Sequence, residues 1–214
     1  MNLTAPATIT PAILSFSKDL TGRNTQPVYV PIVPPVDAKE LDCYVNAKNV
    51  AEKCGGQVVY GWRIWEWPGI LLEAQAHAVV QKPDGSLVDV TPPHDGSDQD
   101  LFLPDPRIVY NGKRIPTRQK ALAASRTVDK YIEAVAVVGK LEAANYVDNG
   151  DDEAGVYLDE RAAREHHKLT EKRIEALMRL EGFSQRRPAQ VPETGRCTCG
   201  SGDKVEDCHG PRPL

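Results

Sequence analysis

No stretch of the sequence approaches the roughly 18 apolar residues of a membrane span. The first thirty residues hold no basic segment followed by an unbroken apolar core. Both absences predict a cytoplasmic protein with no membrane role. Basic charge is not in excess either, since 26 Lys and Arg face 30 Asp and Glu for a formal net charge of -4. That balance argues against bulk binding to nucleic acid or to an anionic membrane. No internal repeat is present. What is present is 41% hydrophobic residues in 214, enough for one medium domain with appendages.

The tail lacks any means of burying a core. It reads Cys197-Thr-Cys199-Gly-Ser-Gly-Asp-Lys-Val-Glu-Asp-Cys208-His209, four soft or borderline ligands in a stretch too short to fold by burial. A four-coordinate metal can fold it, because thiolate and imidazole suit tetrahedral zinc, and a closed four-ligand site is structural. Disulfides are the competing account, but a Cys-x-Cys pair closes a strained loop. The expectation is one structural zinc on Cys197, Cys199, Cys208 and His209, with thiolates kept reduced in the cytoplasm. These residues resemble the SEC-C motif, found at the C-terminus of the bacterial preprotein translocase motor and appended to many unrelated bacterial proteins. Gly200-Ser201-Gly202 supplies the turn after the first pair. The resemblance implies a tail that recruits a protein partner or protein substrate. Asp203, Glu206 and Asp207 dilute the lysines usual in that motif, which argues against contact with nucleic acid.

Punctuation divides the chain. Prolines 27, 31, 34 and 35 mark residues 1–36 as an extended arm with one edge strand near Val28 to Val33. Residues 37–147 form an α+β core. Asp37 caps a helix from about Ala38 to Lys53, stopped by Gly55-Gly56. Strands follow at Gln57 to Trp67, Leu71 to Gln81 and Ser86 to Thr91, then a helix near Thr127 to Tyr146. Residues 148–183 hold an acidic surface loop and a second helix, Leu158 to Glu181, with a rough apolar stripe. Residues 184–196, rich in Gln, Arg and Pro, are a linker with few contacts, so metal loss should melt only the knuckle at 197–210. The fold class is α+β: a small antiparallel sheet packed on a cysteine-bearing helix, followed by helices and the knuckle.

Cys43, His77 and Asp89 fall in helix, strand, strand order. A thiol is weak at neutral pH until a base or a helix N-terminus favours its thiolate, a histidine supplies the base, and a carboxylate fixes the imidazole tautomer. Cys43 falls in the first turns of its helix, where the helix dipole acts in that direction. The hairpin decides whether the other two can meet. Lys82-Pro83-Asp84-Gly85-Ser86 suits a three-residue loop with Gly85 in the left-handed position of a G1 bulge. Val80 then faces Val88 and Ala78 faces Val90. His77 and Asp89 become same-face diagonal neighbours, whereas a two-residue loop would part them.

The order resembles the transglutaminase-like and papain-like thiol superfamily, and His77-Ala-Val-Val with Gly85-Ser-Leu-Val-Asp89-Val-Thr-Pro92 is similar to the His- and Asp-bearing strands of transglutaminase cores. The resemblance implies a papain-like core and amide chemistry, as peptidase, deamidase or acyltransferase. The wider pattern, from Cys43-Tyr-Val-Asn46 to Tyr60-Gly-Trp62-Arg-Ile-Trp65, also resembles uncharacterised bacterial and phage SEC-C proteins. Cys43 lacks the usual neighbouring Trp. No clear oxyanion-hole side chain stands before it; Gln26 is a candidate, and the Cys43 backbone N–H could serve instead. Asn46, Trp65 and Glu73 are cleft candidates, Asn46 alternatively meeting solvent, Trp65 being core or groove wall, and Glu73 alternatively solvated. Cys54 reads as a small buried apolar group. His166-His167 cannot easily share an ion, since adjacent helical residues point about 100° apart. A non-enzymatic adaptor with a structural zinc tail is the competing function.

Overall fold

The computed structural model describes residues 3–147 and 155–213. The acidic loop expected at 148–153 lies outside the described residues. The fold is mixed α+β, with four α-helices and an antiparallel sheet among the described residues. No helix among them is long and apolar enough to cross a membrane. The chain divides into two compact units, one of Leu3–Glu66 and Ala74–Asn111, the other of Trp67–Glu73 and Gly112 onward.

The first unit is a strongly curved sheet with two helices. Helix α1, Pro11–Thr21, replaces part of the extended arm expected over residues 1–36. Its start signal is local: the Thr10 hydroxyl accepts from Ile13 N and Pro11 occupies the first turn. Ile13 and Phe16 are buried on one face, and that burial outweighs the turn-rich composition of the arm. Strand β1 is Val28–Pro31, helix α2 Cys43–Cys54, β2 Gln57–Trp67, β3 Leu71–Gln81, β4 Leu87–Val88 and β5 Gln99–Pro104. The sheet order is β1-β5-β2-β3-β4. Its two outer strands then meet, because Asp89 N donates to Pro31 O at 2.9 Å and Val33 N donates to Asp89 O at 2.8 Å. The sheet is thereby closed into a small barrel, which satisfies edges that would otherwise be exposed.

The hairpin register follows the turn. Gly85 adopts φ 86°, Lys82 N donates to Ser86 O, and Val80 pairs with Val88. Ala78, Val80, Val88 and Val90 therefore share the outer face, where Ala47 and Ala51 of α2 pack on them. Each fully buried Val contributes about 1.5 to 3 kcal/mol. The inner face carries Val30, Val79 and Phe102, none of them exposed. Gly61 is required where β2 crosses β5, since a Cβ there would lie 2.2 Å from Leu103 O.

Helix α2 starts later than the sequence suggests. Leu41 takes φ 64° and cannot continue a helix, so Asp42 rather than Asp37 stands at the N-cap. Cys43 thus becomes the first residue of α2. Cys54 closes α2 and is exposed, not buried as expected, because the last turn runs out beyond the Ala47 and Ala51 face into the left-handed Gly55.

The second unit holds β6, Arg118–Ala121, paired with β3; α3, Arg126–Ala144; the two-stranded pair β7, Tyr146–Val147, and β8, Gly155–Val156; and α4, Glu160–Gln185. Ser125 caps α3 and Asp159 caps α4 through side-chain oxygens. Helices α3 and α4 pack together. His166 Nε2 meets Glu142 Oε1 at 3.0 Å between them, while His167 faces Glu171 on the exposed side. The tail forms turns around a 3-10 segment, Val205–Asp207.

Candidate functional site

Two side-chain clusters carry chemistry, one in each unit. In the barrel, β3 places His77 and the hairpin places Asp89 on the inner face. His77 Nε2 lies 2.6 Å from Asp89 Oδ2, and Asp89 Oδ1 accepts from Thr91 N at 2.8 Å. Cys43, at the start of α2, is near enough to the same imidazole to help raise its pKa. With Nε2 committed to Asp89, Nδ1 is the nitrogen left for sulfur. All three residues are buried, Cys43 at 8% exposure, His77 at 5% and Asp89 at 0%.

Burial alone would lower the His77 pKa, but its bond to Asp89, the nearby Cys43 and the Asp89 charge raise it to about 10. Burial would raise Asp89, yet the bond and charge of His77 bring it down to about 2. Both shifts act in the direction of an imidazolium and carboxylate pair.

Two further charged groups stand on the inner face that the sequence reading did not single out. Arg63 Nε donates to Asp100 Oδ1 at 2.7 Å, and both residues are buried. The Asp100 carboxyl faces that of Asp89, with their oxygens within 4.8 Å. Burial first, then the facing Asp89, push Asp100 up to about 7 against the pull of Arg63. His77, Asp89 and Asp100 bring their ligand atoms within 4.8 Å of one another, close enough in principle for a cation. The Arg63 guanidinium already supplies that positive charge, and the 2.6 Å contact is a direct hydrogen bond. The signal that could have found Arg63 is a charge inside the otherwise apolar run Trp62-Arg63-Ile64-Trp65.

The cleft candidates fall elsewhere. Asn46 is spent on the loop before α2: its Nδ2 donates to Lys39 O at 2.7 Å and its Oδ1 accepts from Lys39 N at 3.2 Å. It shapes the entry to the helix and is 6% exposed. Trp65 lies beneath Arg63, whose guanidinium carbon stands 4.2 Å from the ring centre, so it supports the Arg63 to Asp100 clamp. Glu73 belongs to the second unit, where Gln119 Nε2 donates to its Oε2 at 2.6 Å. Gln26 is exposed ahead of β1.

The second cluster is the tail. Cys197 Sγ and Cys208 Sγ lie 3.4 and 3.3 Å from His209 Nδ1, and Cys199 Sγ lies 3.6 Å from Cys208 Sγ. These four groups could hold a metal ion. Compared with family models, curated proteins and solved structures, the chain matches none. The site's chemistry therefore has to be read from its own atoms. His209 Nε2 donates to Phe183 O at 2.9 Å. A carbonyl only accepts, so the proton sits on Nε2 and the Nδ1 lone pair faces the three sulfurs. Burial and the facing sulfurs push Cys208 up to about 12, while the Ser201 hydroxyl and backbone overcome burial to bring Cys199 down to about 6. A cation is what would let all the thiols ionise together.

The tail is not loosely tethered within its unit, contrary to the sequence expectation. The Phe183 ring stacks on His209 at 3.8 Å and 6°. Ala124 N donates to Gly210 O, Arg212 N donates to Leu122 O, and Arg212 pairs with Asp129 at 2.8 Å. Helix α4 also continues to Gln185, into the segment expected to be linker.

Proposed function

We propose that the barrel unit is a thiol enzyme acting on amides, by hydrolysis or by acyl transfer, with a core similar to the papain-like and transglutaminase-like superfamily. The observation that carries this reading is the short His77 to Asp89 bond, with the Cys43 thiol at the first position of α2 close enough to act on the same imidazole. Cys43 Sγ attacks the carbonyl carbon and forms a thioester as the C–N bond breaks. His77 holds the thiol proton and returns it to the departing amine, then draws a proton from water or an acceptor amine that attacks the thioester. Asp89 keeps the ring oriented. The developing oxyanion meets the backbone N–H of Cys43, which has no acceptor within its own helix.

In the same reading the tail holds one structural zinc. Sulfur and nitrogen ligands about 2.3 and 2.0 Å from a tetrahedral ion lie roughly 3.5 to 3.8 Å apart, close to the separations of 3.3 to 3.6 Å in the cluster. The three thiolates and His209 Nδ1 would bind the ion, and the finished knuckle would present a surface to a protein partner or protein substrate.

Burial of the whole thiol site favours one second reading, a non-enzymatic adaptor in which Cys43, His77 and Asp89 are structural. Iodoacetamide labelling with peptide mapping separates the two, because exposed Cys54 serves as an internal reference thiol. The enzyme reading expects Cys43 to outpace Cys54 at about pH 6, well below the usual thiol pKa of about 8.5. Labelling of Cys43 no faster than Cys54 there would favour the adaptor.

A further inference from the structure

We propose that Asp100, clamped by Arg63, is a positioning residue of the thiol site, its carboxyl donating a hydrogen bond to the Asp89 carboxylate and so fixing Asp89 on His77. The inference rests on the thiol-enzyme reading.

Two carboxylates with oxygens within 4.8 Å of each other repel strongly in a buried place, and a proton between them removes that repulsion. Asp100 Oδ1 accepts from Arg63 Nε, while Oδ2 has no N–H or O–H donor. A buried carboxylate oxygen without a donor is costly. Carrying the proton itself, Oδ2 becomes the donor and the cost is removed. Asp89 is the ionised partner of the two, since its Oδ1 accepts from Thr91 N and the facing His77 holds its pKa down to about 2.

The groups that face Asp100 are accounted for from each element around it. Arg63 comes from β2, His77 from β3 and Asp89 from the segment after β4. Its register partner on β1 is the apolar Val30. Cys43 of α2 reaches the network through His77. Above about 7, where Asp100 loses its proton, two facing anions repel and Asp89 loses the donor that holds it. An asparagine at this position keeps an N–H donor and has no proton to lose.

The test compares Cys43 iodoacetamide labelling rates in the wild type and in Asp100→Asn across a pH series. The ratio of wild-type to variant rate should be near one at about pH 6 and fall about fivefold or more by about pH 8.5, as expected for loss of a hydrogen bond to a charged group. A ratio that does not change with pH overturns the proposal. Asp100→Ala, checked for native circular dichroism, should slow labelling about tenfold at pH 6, and an unchanged rate would likewise overturn it. A wild-type Cys43 that never outpaces Cys54 fails the thiol-enzyme reading and takes this proposal with it, whereas a fast Cys43 with a flat ratio removes Asp100 alone.

Discussion

The two chemical clusters are built on opposite plans. The knuckle ligands lie between positions 197 and 209, in a segment whose turns bring them together locally. The thiol residues come from a helix start, a strand and the seam where the barrel closes, between positions 43 and 89. In the first, ligand spacing brings together four groups that could hold a metal ion, and such an ion would supply the folding energy. In the second, an apolar outer face fixes the register and the register delivers the polar groups to the inside. A spacing motif can be carried from chain to chain, whereas a register-built site exists only if the sheet folds in one alignment.

Loss of the tail metal should have the largest effect. Cys208→Ser or chelation should remove on the order of 10 kcal/mol of metal-coupled folding from the knuckle. Hydrogen exchange should then rise at the Ala124 and Arg212 amides and in the last turn of α4, because Gly210, Leu122 and Phe183 link these to the tail. The Asp89 amide, in the barrel seam, should keep its protection. Exchange that rises only over residues 197–209 would restore the picture of an appended knuckle.

Gly61→Ala strikes the barrel instead. Its Cβ would meet the Leu103 carbonyl at 2.2 Å, and backbone cannot yield as a side chain can, so a loss of about 3 kcal/mol is expected in denaturant unfolding. A loss below about 0.5 kcal/mol, within the range of a neutral surface change, would show that β2 and β5 are not so closely apposed.

A smaller effect separates the units by pH. The His77 value lies above that of an ordinary histidine, so the bound proton stabilises the fold fully below about pH 6.5. This stabilisation drains away as pH climbs toward about 10. The melting temperature of the wild type should fall through that window, and His77→Gln should fall less. Parallel curves for the two proteins would remove the buried imidazolium.

Cys43→Ala should cost least in stability, about 1 to 2 kcal/mol for a small, nearly buried group. It should nevertheless abolish thioester formation with any amide or ester substrate. Retained turnover in this variant would end the nucleophile assignment.

Much of the plan was legible in the sequence. Lys82 to Ser86 dictates its own turn chemistry, and the bounds of β2 and β3 follow from alternation between clear breakers. The Cys and His ligands of the tail follow from spacing. The α1 helix was masked by the prolines and threonines around it, though Thr10 and Pro11 are good start signals. The start of α2 was misplaced because Leu41 adopts a left-handed conformation that nothing in its type announces. Strand β5 went unread, and with it Asp100.

The sequence by itself determined what depends on near neighbours: the hairpin parity, the gathering of the tail Cys and His side chains, and the capacity for an amphipathic α2. Only the tertiary structure decided that the ends of β1 and β4 meet at Asp89, that Asn46 is spent on the Lys39 backbone, that Arg63 and Asp100 stand behind the thiol residues, and that the tail is packed against α4 and the segment 122–124 before α3. The physical reason is range. Turn and cap energies are set within a few residues, while barrel closure and the pairing of buried charges depend on elements distant in sequence, whose partners no local pattern encodes.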